Sequence, residues 1–217
     1  MTTPMTLGEL ADALAAGQGA PRRLVAVAGA PGSGKSRFAE ALAEALAGRV
    51  AAAALPMDGF HFDDTVLLAR GDRPRKGAPH TFDVDGFAVL LDRLAADDGR
   101  AIAVPVFDRA IEIARAGARI IGPETRLVVV EGNYLLLDDP AWAPLRRAFD
   151  LTVFLDVPEP LLARRLEARW TDHGLSPEAI RAKLEENDLP NARRVARGSV
   201  PADVVIRNVG AGERDGG

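Results

Sequence analysis

Eight consecutive residues, Gly29-Ala30-Pro31-Gly32-Ser33-Gly34-Lys35-Ser36, satisfy the pattern G-x-x-x-x-G-K-[ST], and the apolar run Leu24-Val25-Ala26-Val27-Ala28 leads directly into them. A stretch with helical spacing follows. Strand, glycine-rich loop and helix in that succession form a phosphate cradle. The glycines let the backbone close around an oxyanion, so that successive N–H groups and the positive end of the next helix point at phosphate. Gly29, Ala30, Pro31, Gly32, Ser33 and Gly34, with Arg37 just beyond, are therefore expected around a nucleotide's phosphates, with Lys35 reaching the β- and γ-phosphates and Ser36 holding Mg²⁺. Only Lys35, Lys76 and Lys183 are lysine among 27 basic residues. A lysine in the loop thus runs against a composition that otherwise favours arginine.

The remaining pattern predicts an α/β chain. Leu7, Leu10, Ala11 and Leu14 recur at helical spacing and stop at Gly17. A helix is predicted over 37–47, a strand over 50–55, and then a polar, Gly/Pro-rich segment from Met57 to Pro79, long enough to read as a binding segment. Asp83 or Asp85 is placed to cap a helix through Phe87, Leu90, Leu91 and Leu94, ending near Asp97-Asp98-Gly99. Two strands, 100–107 and 110–121, flank a loop. The runs 127–130, 151–157 and 204–206 read as buried parallel strands. A charged helix is predicted from Glu159 to about Asp172, and Ser176-Pro177-Glu178 starts another that runs to about Asn187. With 217 residues, 47% of them hydrophobic, one sizeable core is expected over 1–209, and the Gly-rich tail 210–217 is expected to be disordered.

A formal net charge of −4 without a long basic run excludes nucleic acid or an anionic membrane as the main partner. The absence of cysteine excludes disulfides, thiolate metal sites and cysteine nucleophiles. The N-terminal residues show neither a basic region nor a continuous apolar run of a signal peptide, and no segment approaches a membrane span. A cytoplasmic protein is the expectation. Oligomeric state is not legible, and a homodimer stays open.

In parallel sheets ligands sit beyond the carboxyl ends of the strands, so the loop 29–36, Asp58, the segment 107–109 and Glu131 should converge. Asp58, following the second strand, is a candidate base for an acceptor hydroxyl, although an Asp before Gly also suits a plain turn. Glu131, at the end of the 127–130 strand, is placed to hold Mg²⁺ with Ser36. Arg165 and Arg169 share a helix face at i, i+4 and can clamp phosphates, or pair with Glu167 and Asp172 on a solvated face. His61, His80 and His173 lack metal-ligand spacing, and His61 is a candidate substrate contact.

The run Met57-Asp58-Gly59-Phe60-His61, then Arg70-Gly71, then Lys76-Gly77-Ala78-Pro79 and Phe82-Asp83, resembles the bacterial pantothenate kinase pattern. Pro105-Val106-Phe107-Asp108-Arg109 and Val129-Val130-Glu131-Gly132 match the wider phosphoribulokinase, uridine kinase and pantothenate kinase superfamily. In length, and in 131–137, Arg169-Trp170, His173-Gly174 and 187–191, the chain most resembles the bacterial group called fructose transport system kinases, or nucleoside/nucleotide kinase-like proteins. The resemblance spans Leu24 to Asn208. It implies a P-loop NTPase fold of three α/β/α layers, a five-stranded parallel sheet, a helical lid over about 159–190, and use of ATP and Mg²⁺. It implies Lys35, Asp58 and Arg169 as catalytic, and Arg165, Asn187 and Asn191 near the nucleotide, the asparagines by the adenine. Asp58, Phe60, His61, Arg70, Lys76, Phe82, Asp108, Arg109, Glu131 and Asn133 are the expected acceptor contacts. His61 stands where uridine kinases carry Tyr, and Phe107-Asp108-Arg109 where pantothenate kinases carry Tyr-Ser-His, so the implied pocket is that of neither enzyme.

The expected activity is transfer of the γ-phosphoryl group of ATP to a hydroxyl of a small polar metabolite, such as a sugar, a nucleoside or a pantothenate-like alcohol. Two other readings stay open. A nucleoside monophosphate kinase needs arginines for a second phosphate, which Arg70, Arg73 and Arg75 can supply. An ATP-hydrolysing switch or chaperone needs a protein partner, but the chain carries neither N-K-x-D nor L-S-G-G-Q.

Overall fold

Leu24, Ala26 and Ala28 point to one side of the first strand and Val25 and Val27 to the other, and all five are fully buried. A strand dry on both faces must be covered twice, which dictates a layered α/β architecture. The computed structural model describes residues 5–17 and 21–208; the tail from Gly210, expected to be disordered, lies outside them. The described strands are β1 (Arg23–Gly29), β2 (Ala52–Pro56), β3 (Ile102–Asp108), β4 (Ile113–Ile121), β5 (Leu127–Gly132), β6 (Leu151–Asp156) and β7 (Val204–Arg207). Five of them form a parallel sheet in the order β2-β5-β1-β6-β7. β3 and β4 pair with each other as a separate antiparallel hairpin.

The helices are α1 (Leu7–Ala16), α2 (Lys35–Ala45), α3 (Asp64–Arg70), α4 (Val84–Ala96), α5 (Glu159–Asp172), α6 (Pro177–Lys183) and α7 (Leu189–Gly198). α1 and α2 cover one sheet face, where Leu10, Leu14, Phe38 and Leu42 meet Val25, Val27 and Val129. The other face packs on Phe87, Leu90, Leu91 and Leu94 of α4, the run Tyr134 to Leu137, Trp142, and Val195 of α7. Tyr134 and Trp142 are fully buried, yet each keeps a partner for its polar atom. Tyr134 Oη donates to Gly77 O at 2.6 Å and Trp142 Nε1 to Pro79 O at 3.2 Å, so two core aromatics fasten the segment after α3 to the sheet.

Several boundaries differ from the sequence reading for identifiable reasons. α2 begins at Lys35, not Arg37, because Gly34 takes a left-handed φ of +87° and serves as N-cap. Met57 to Pro79 is not continuous loop: Asp63 caps Thr65 N and starts α3. α6 stops at Lys183, where the chain passes through a π-turn, Leu184–Asp188, into α7. Pro190 is tolerated there because it falls in the first turn of α7.

Asp83 is the cap of α4, its side chain accepting from Gly86 N at 2.9 Å. Asp83→Ala is expected to cost about 1 kcal/mol, lowering Tm by about 2–4 °C in a thermal melt.

Candidate active site

Loop 29–36 rounds the carboxyl end of β1 with no side-chain cap on the helix that follows. The first N–H groups of α2 therefore have no side-chain acceptor, the condition for holding an anion. Gly32 and Gly34 both take left-handed φ, +79° and +87°. A Cβ on Gly32 would come within 3.0 Å of Leu166 Cγ, and one on Gly34 within 2.9 Å of Asn208 Nδ2. Only glycine fits this cradle.

Lys35 is buried, and Nζ donates to Ala30 O at 3.0 Å. Burial pushes its ammonium below the usual lysine range, against the pull of the Glu131 and Asp58 carboxylates. A buried cation with one carbonyl partner suits a phosphate better than it suits the protein alone.

Glu131 is placed by register. It is the penultimate residue of β5, between Val27 on β1 and Pro56 on β2, and Ser36 Oγ donates to its Oε1 at 2.7 Å. Its carboxyl is raised to about 6, mainly by burial and then by the nearby Asp58, while Lys35 and Ser36 oppose the shift. A serine hydroxyl and a carboxylate are hard oxygen donors that suit Mg²⁺, which takes one or two protein oxygens and fills its shell with phosphate and water. Among the described residues there is no group of three or more His, Cys, Asp and Glu side chains that would hold a metal by themselves.

β2 delivers the opposite wall. After Pro56 the chain makes a 3-10 turn over Met57–Phe60. From it Asp58 Oδ2 accepts from Arg109 Nη2 at 2.7 Å, across from the β3–β4 hairpin. His61 lies between Phe82 and Phe107, with ring centroids 4.1 and 4.7 Å away. Lys76 Nζ donates to Asp64 Oδ1 at 2.6 Å and to Glu112 O at 2.7 Å.

These walls enclose one cleft of about 970 Å³. Of the expected residues, Pro31, Gly32, Gly34, Lys35, Ser36, Arg37, Asp58, His61, Lys76, Phe82, Arg109, Glu131, Asn133, Arg165, Arg169, Asn187 and Asn191 line it. Gly29, Ala30 and Ser33 form the buried back of the loop. Three expected acceptor contacts are placed outside the lining. Phe60 stacks on Phe87 in the core at 4.8 Å, the Arg70 guanidinium lies over Phe62 at 4.4 Å, and Asp108 accepts from Ala110 N at 3.1 Å within the hairpin turn. Each side chain is engaged by a neighbour: Phe87 of α4, Phe62 ahead of α3, or the hairpin's own backbone.

Asn187 and Asn191 form a buried relay. Asn191 Nδ2 donates to Asn187 Oδ1 at 3.1 Å, and Asn187 Nδ2 donates to Lys76 O at 3.0 Å. Their polar ends are thus turned to each other and to the Lys76-Gly77 segment, while both line the cleft. Arg75 Nη1 also donates to Glu186 O, so the π-turn rests on the same segment from two directions. Trp170 Nε1 donates to Asp188 Oδ2 at 2.7 Å, and Arg169 and Lys183 lie over the indole at 4.8 and 4.3 Å.

Sequence reasoning missed Asn208. It follows β7, lines the cleft, and donates from Nδ2 to Ser33 O at 2.7 Å, while its own carbonyl accepts from Arg165 Nη2 at 3.1 Å. Nothing in the local sequence signals a contact reaching back 175 residues.

A scan against family models matches residues 24–213 to the phosphoribulokinase / uridine kinase family. The chain belongs to that family. A Schizosaccharomyces pombe protein named "putative uridine kinase" is 34% identical, covering 87% of this chain and 84% of its own length. The Escherichia coli protein YggC, named as uncharacterized, is 35% identical over 85% of this chain and 77% of its own. A crystal structure from Silicibacter sp. TM1040, described as a "putative fructose transport system kinase", shares 45% identity with a TM-score of 0.87, covering 93% of this chain and 98% of that one. YFH7 of Saccharomyces cerevisiae, at 20% identity and a TM-score of 0.81 over 94% and 98% of the two chains, shares the fold. As a member of the phosphoribulokinase / uridine kinase family, the chain is an ATP-dependent kinase with a P-loop fold. Among the described residues no helix is long and apolar enough to cross a membrane.

Proposed function

We propose that this kinase transfers the γ-phosphoryl group of ATP to a hydroxyl of a small polar metabolite, a sugar, a nucleoside or a pantothenate-like alcohol. The observation that carries the reading is the Asp58 carboxylate, set across the cleft from the phosphate loop and held by Arg109. Phosphoryl transfer needs a group that orients the nucleophile and takes its proton, while cations and backbone amides carry the phosphate charge. Asp58 accepts the hydroxyl proton as the oxygen attacks phosphorus. Lys35 and the first N–H groups of α2 hold the phosphate oxygens. Arg169 is half-buried at the cleft and feels both Arg109 and Asp58, which suits a clamp on the group in transit. Mg²⁺, when bound by Ser36 and Glu131, would supply charge neutralisation between the phosphates.

A hydroxyl acceptor is favoured over a nucleoside monophosphate by the state of the three arginines available for a second phosphate. Arg70 lies on Phe62, Arg73 pairs with Asp64 at 2.6 Å, and Arg75 donates to Glu186 O. A carboxylate and an imidazole on the acceptor wall also serve a metabolite better than a hydrolytic switch. The reading is tested by ADP release from Mg²⁺-ATP against sugars, nucleosides, nucleoside monophosphates and pantothenate. Stimulation by one hydroxyl compound is the expected result; stimulation by monophosphates alone, or ATP hydrolysis indifferent to every compound, overturns it.

The segment 159–190 acts as the lid in this reading. Leu161 and Leu162 anchor its first helix on Ala30 and Ala192, while Asn187 and Glu186 near its far end meet the acceptor wall through hydrogen bonds with Lys76 and Arg75, as suits an element that swings about one fixed end. Limited proteolysis within 159–190 is expected to slow when ATP and acceptor are present together, relative to either alone.

A further inference from the structure

Asn208 follows the last strand of the sheet, and three elements hold it. Its N–H donates to Asp156 O at the end of β6 at 3.0 Å, its carbonyl accepts from Arg165 Nη2 of α5 at 3.1 Å, and its side chain donates from Nδ2 to Ser33 O in the phosphate loop at 2.7 Å. A carbonyl oxygen only accepts, so the amide nitrogen, not the amide oxygen, faces Ser33. With its backbone tied on both sides, the residue has little freedom except to aim that amide at the loop.

The loop needs such a partner. Ser33 is itself fixed: its N–H donates to Ala30 O at 3.1 Å, and its side chain is fully buried, with Oγ 2.8 Å from where a Cβ on Gly29 would stand. The peptide that follows is not fixed by the loop alone. Turning it over changes only ψ of Ser33 and φ of Gly34, and glycine accepts either sign of φ. In a trans peptide C=O and N–H point opposite ways, so whatever holds the Ser33 carbonyl sets the direction of Gly34 N–H. Among the described residues nothing accepts from that N–H, which leaves it for an anion. The amide of Asn208 also fills the space that a side chain at position 34 would need, since Nδ2 lies 2.9 Å from a Cβ built there.

We infer that Asn208 is a positioning residue for the phosphate loop: by holding the Ser33 carbonyl it keeps the Ser33-Gly34 peptide turned so that Gly34 N–H meets the polyphosphate, and this strengthens ATP binding. It acts through the loop and not on the nucleotide itself. A bound polyphosphate holds the same peptide from its other side, so the contribution falls on binding and little on the chemical step. The inference is independent of which acceptor the kinase uses.

The test pairs Asn208→Ala, which removes the amide, with Asn208→Leu, which keeps its branched shape and donates nothing. Titration calorimetry on each should show ATP and inorganic tripolyphosphate weakened alike, by about 10-fold, the loss expected when the free loop holds its binding conformation about a tenth of the time. Turnover at saturating ATP should stay within about 3-fold of wild type. Ser33-Gly34 is the one Ser-Gly pair in the sequence, so protein made by cell-free synthesis with serine labelled at its carbonyl carbon and glycine labelled at nitrogen gives a single amide NMR signal from this peptide. In the wild type that signal should move downfield when tripolyphosphate binds. Weakened ATP with unchanged tripolyphosphate would put Asn208 on the nucleoside, a loss in Asn208→Leu that Asn208→Ala does not share would be steric, and a fall in turnover as large as the fall in affinity would put the residue in the chemical step. Each of these overturns the inference and leaves the kinase standing. So does an amide signal that bound tripolyphosphate leaves in place, a result that needs only the wild-type protein and so holds even where a variant fails to fold. Tripolyphosphate that does not bind the wild type overturns both this inference and the phosphate-loop reading beneath it.

Discussion

Lys35→Met is expected to lower kcat about 100- to 1,000-fold while leaving Tm within a few degrees of wild type. Methionine fills nearly the same volume, so packing against the loop survives. What is lost is a cation that has one protein partner, Ala30 O, and sits between two carboxylates, Glu131 and Asp58. Keeping that charge buried works against folding, and its removal is absorbed by Glu131, whose carboxyl burial already raises and which the lost cation no longer holds down. Activity and stability should therefore separate, as they do where a site is held against its own stability. Steady-state ADP release and a thermal melt on the same preparation check both halves. Wild-type turnover in the variant would remove Lys35 from the catalytic role.

Asp58→Asn is expected to reduce phosphoryl transfer about 100- to 10,000-fold and to leave ATP affinity within about 3-fold. The amide oxygen can still accept from Arg109, so the wall holds its shape, but it cannot take the acceptor's proton. Asp58 lies on the acceptor side, and its side-chain hydrogen bond goes to Arg109 and not to loop 29–36, which is why nucleotide binding should be largely spared. Isothermal titration with ATP, beside turnover with the best acceptor, separates the two effects. Equal loss of affinity and turnover would place Asp58 in nucleotide binding instead.

The phosphate loop was legible because its chemistry is written in consecutive backbone positions, with glycine wherever the chain must turn left-handed or come close to a neighbour. The buried strands were legible for a similar reason: an unbroken apolar run admits few other fates. α3 escaped notice because it has seven residues set between charged and proline-rich neighbours, too few to show a period. α7 escaped because it grows out of a π-turn and contains Pro190, which reads as a breaker when its position in the helix is unknown. The sequence also gave no means of knowing that β3 and β4 stand apart from the main sheet, since strand propensity names no partner. Long-range contacts such as Asn208 with Ser33, or Asn187 with Lys76, depend on where two separately folded segments meet. Phe60, Arg70 and Asp108 illustrate the reverse: their motif positions are suggestive, but stacking and turn geometry draw them away from the cleft.

The order of the central strands also works as a ruler. β5 lies between β2 and β1, so the turn bearing Asp58 and the loop bearing Lys35 leave the sheet two strand spacings apart, about 10 Å, with Glu131 midway. Hydrogen-bond registry, not side-chain length, sets the span that donor and acceptor must bridge. The segment 57–82 can therefore be rebuilt for another acceptor without recalibrating the transfer distance, whereas a one-residue slip of β5 would turn Glu131 into the hydrophobic layer and leave the gauge without its middle mark.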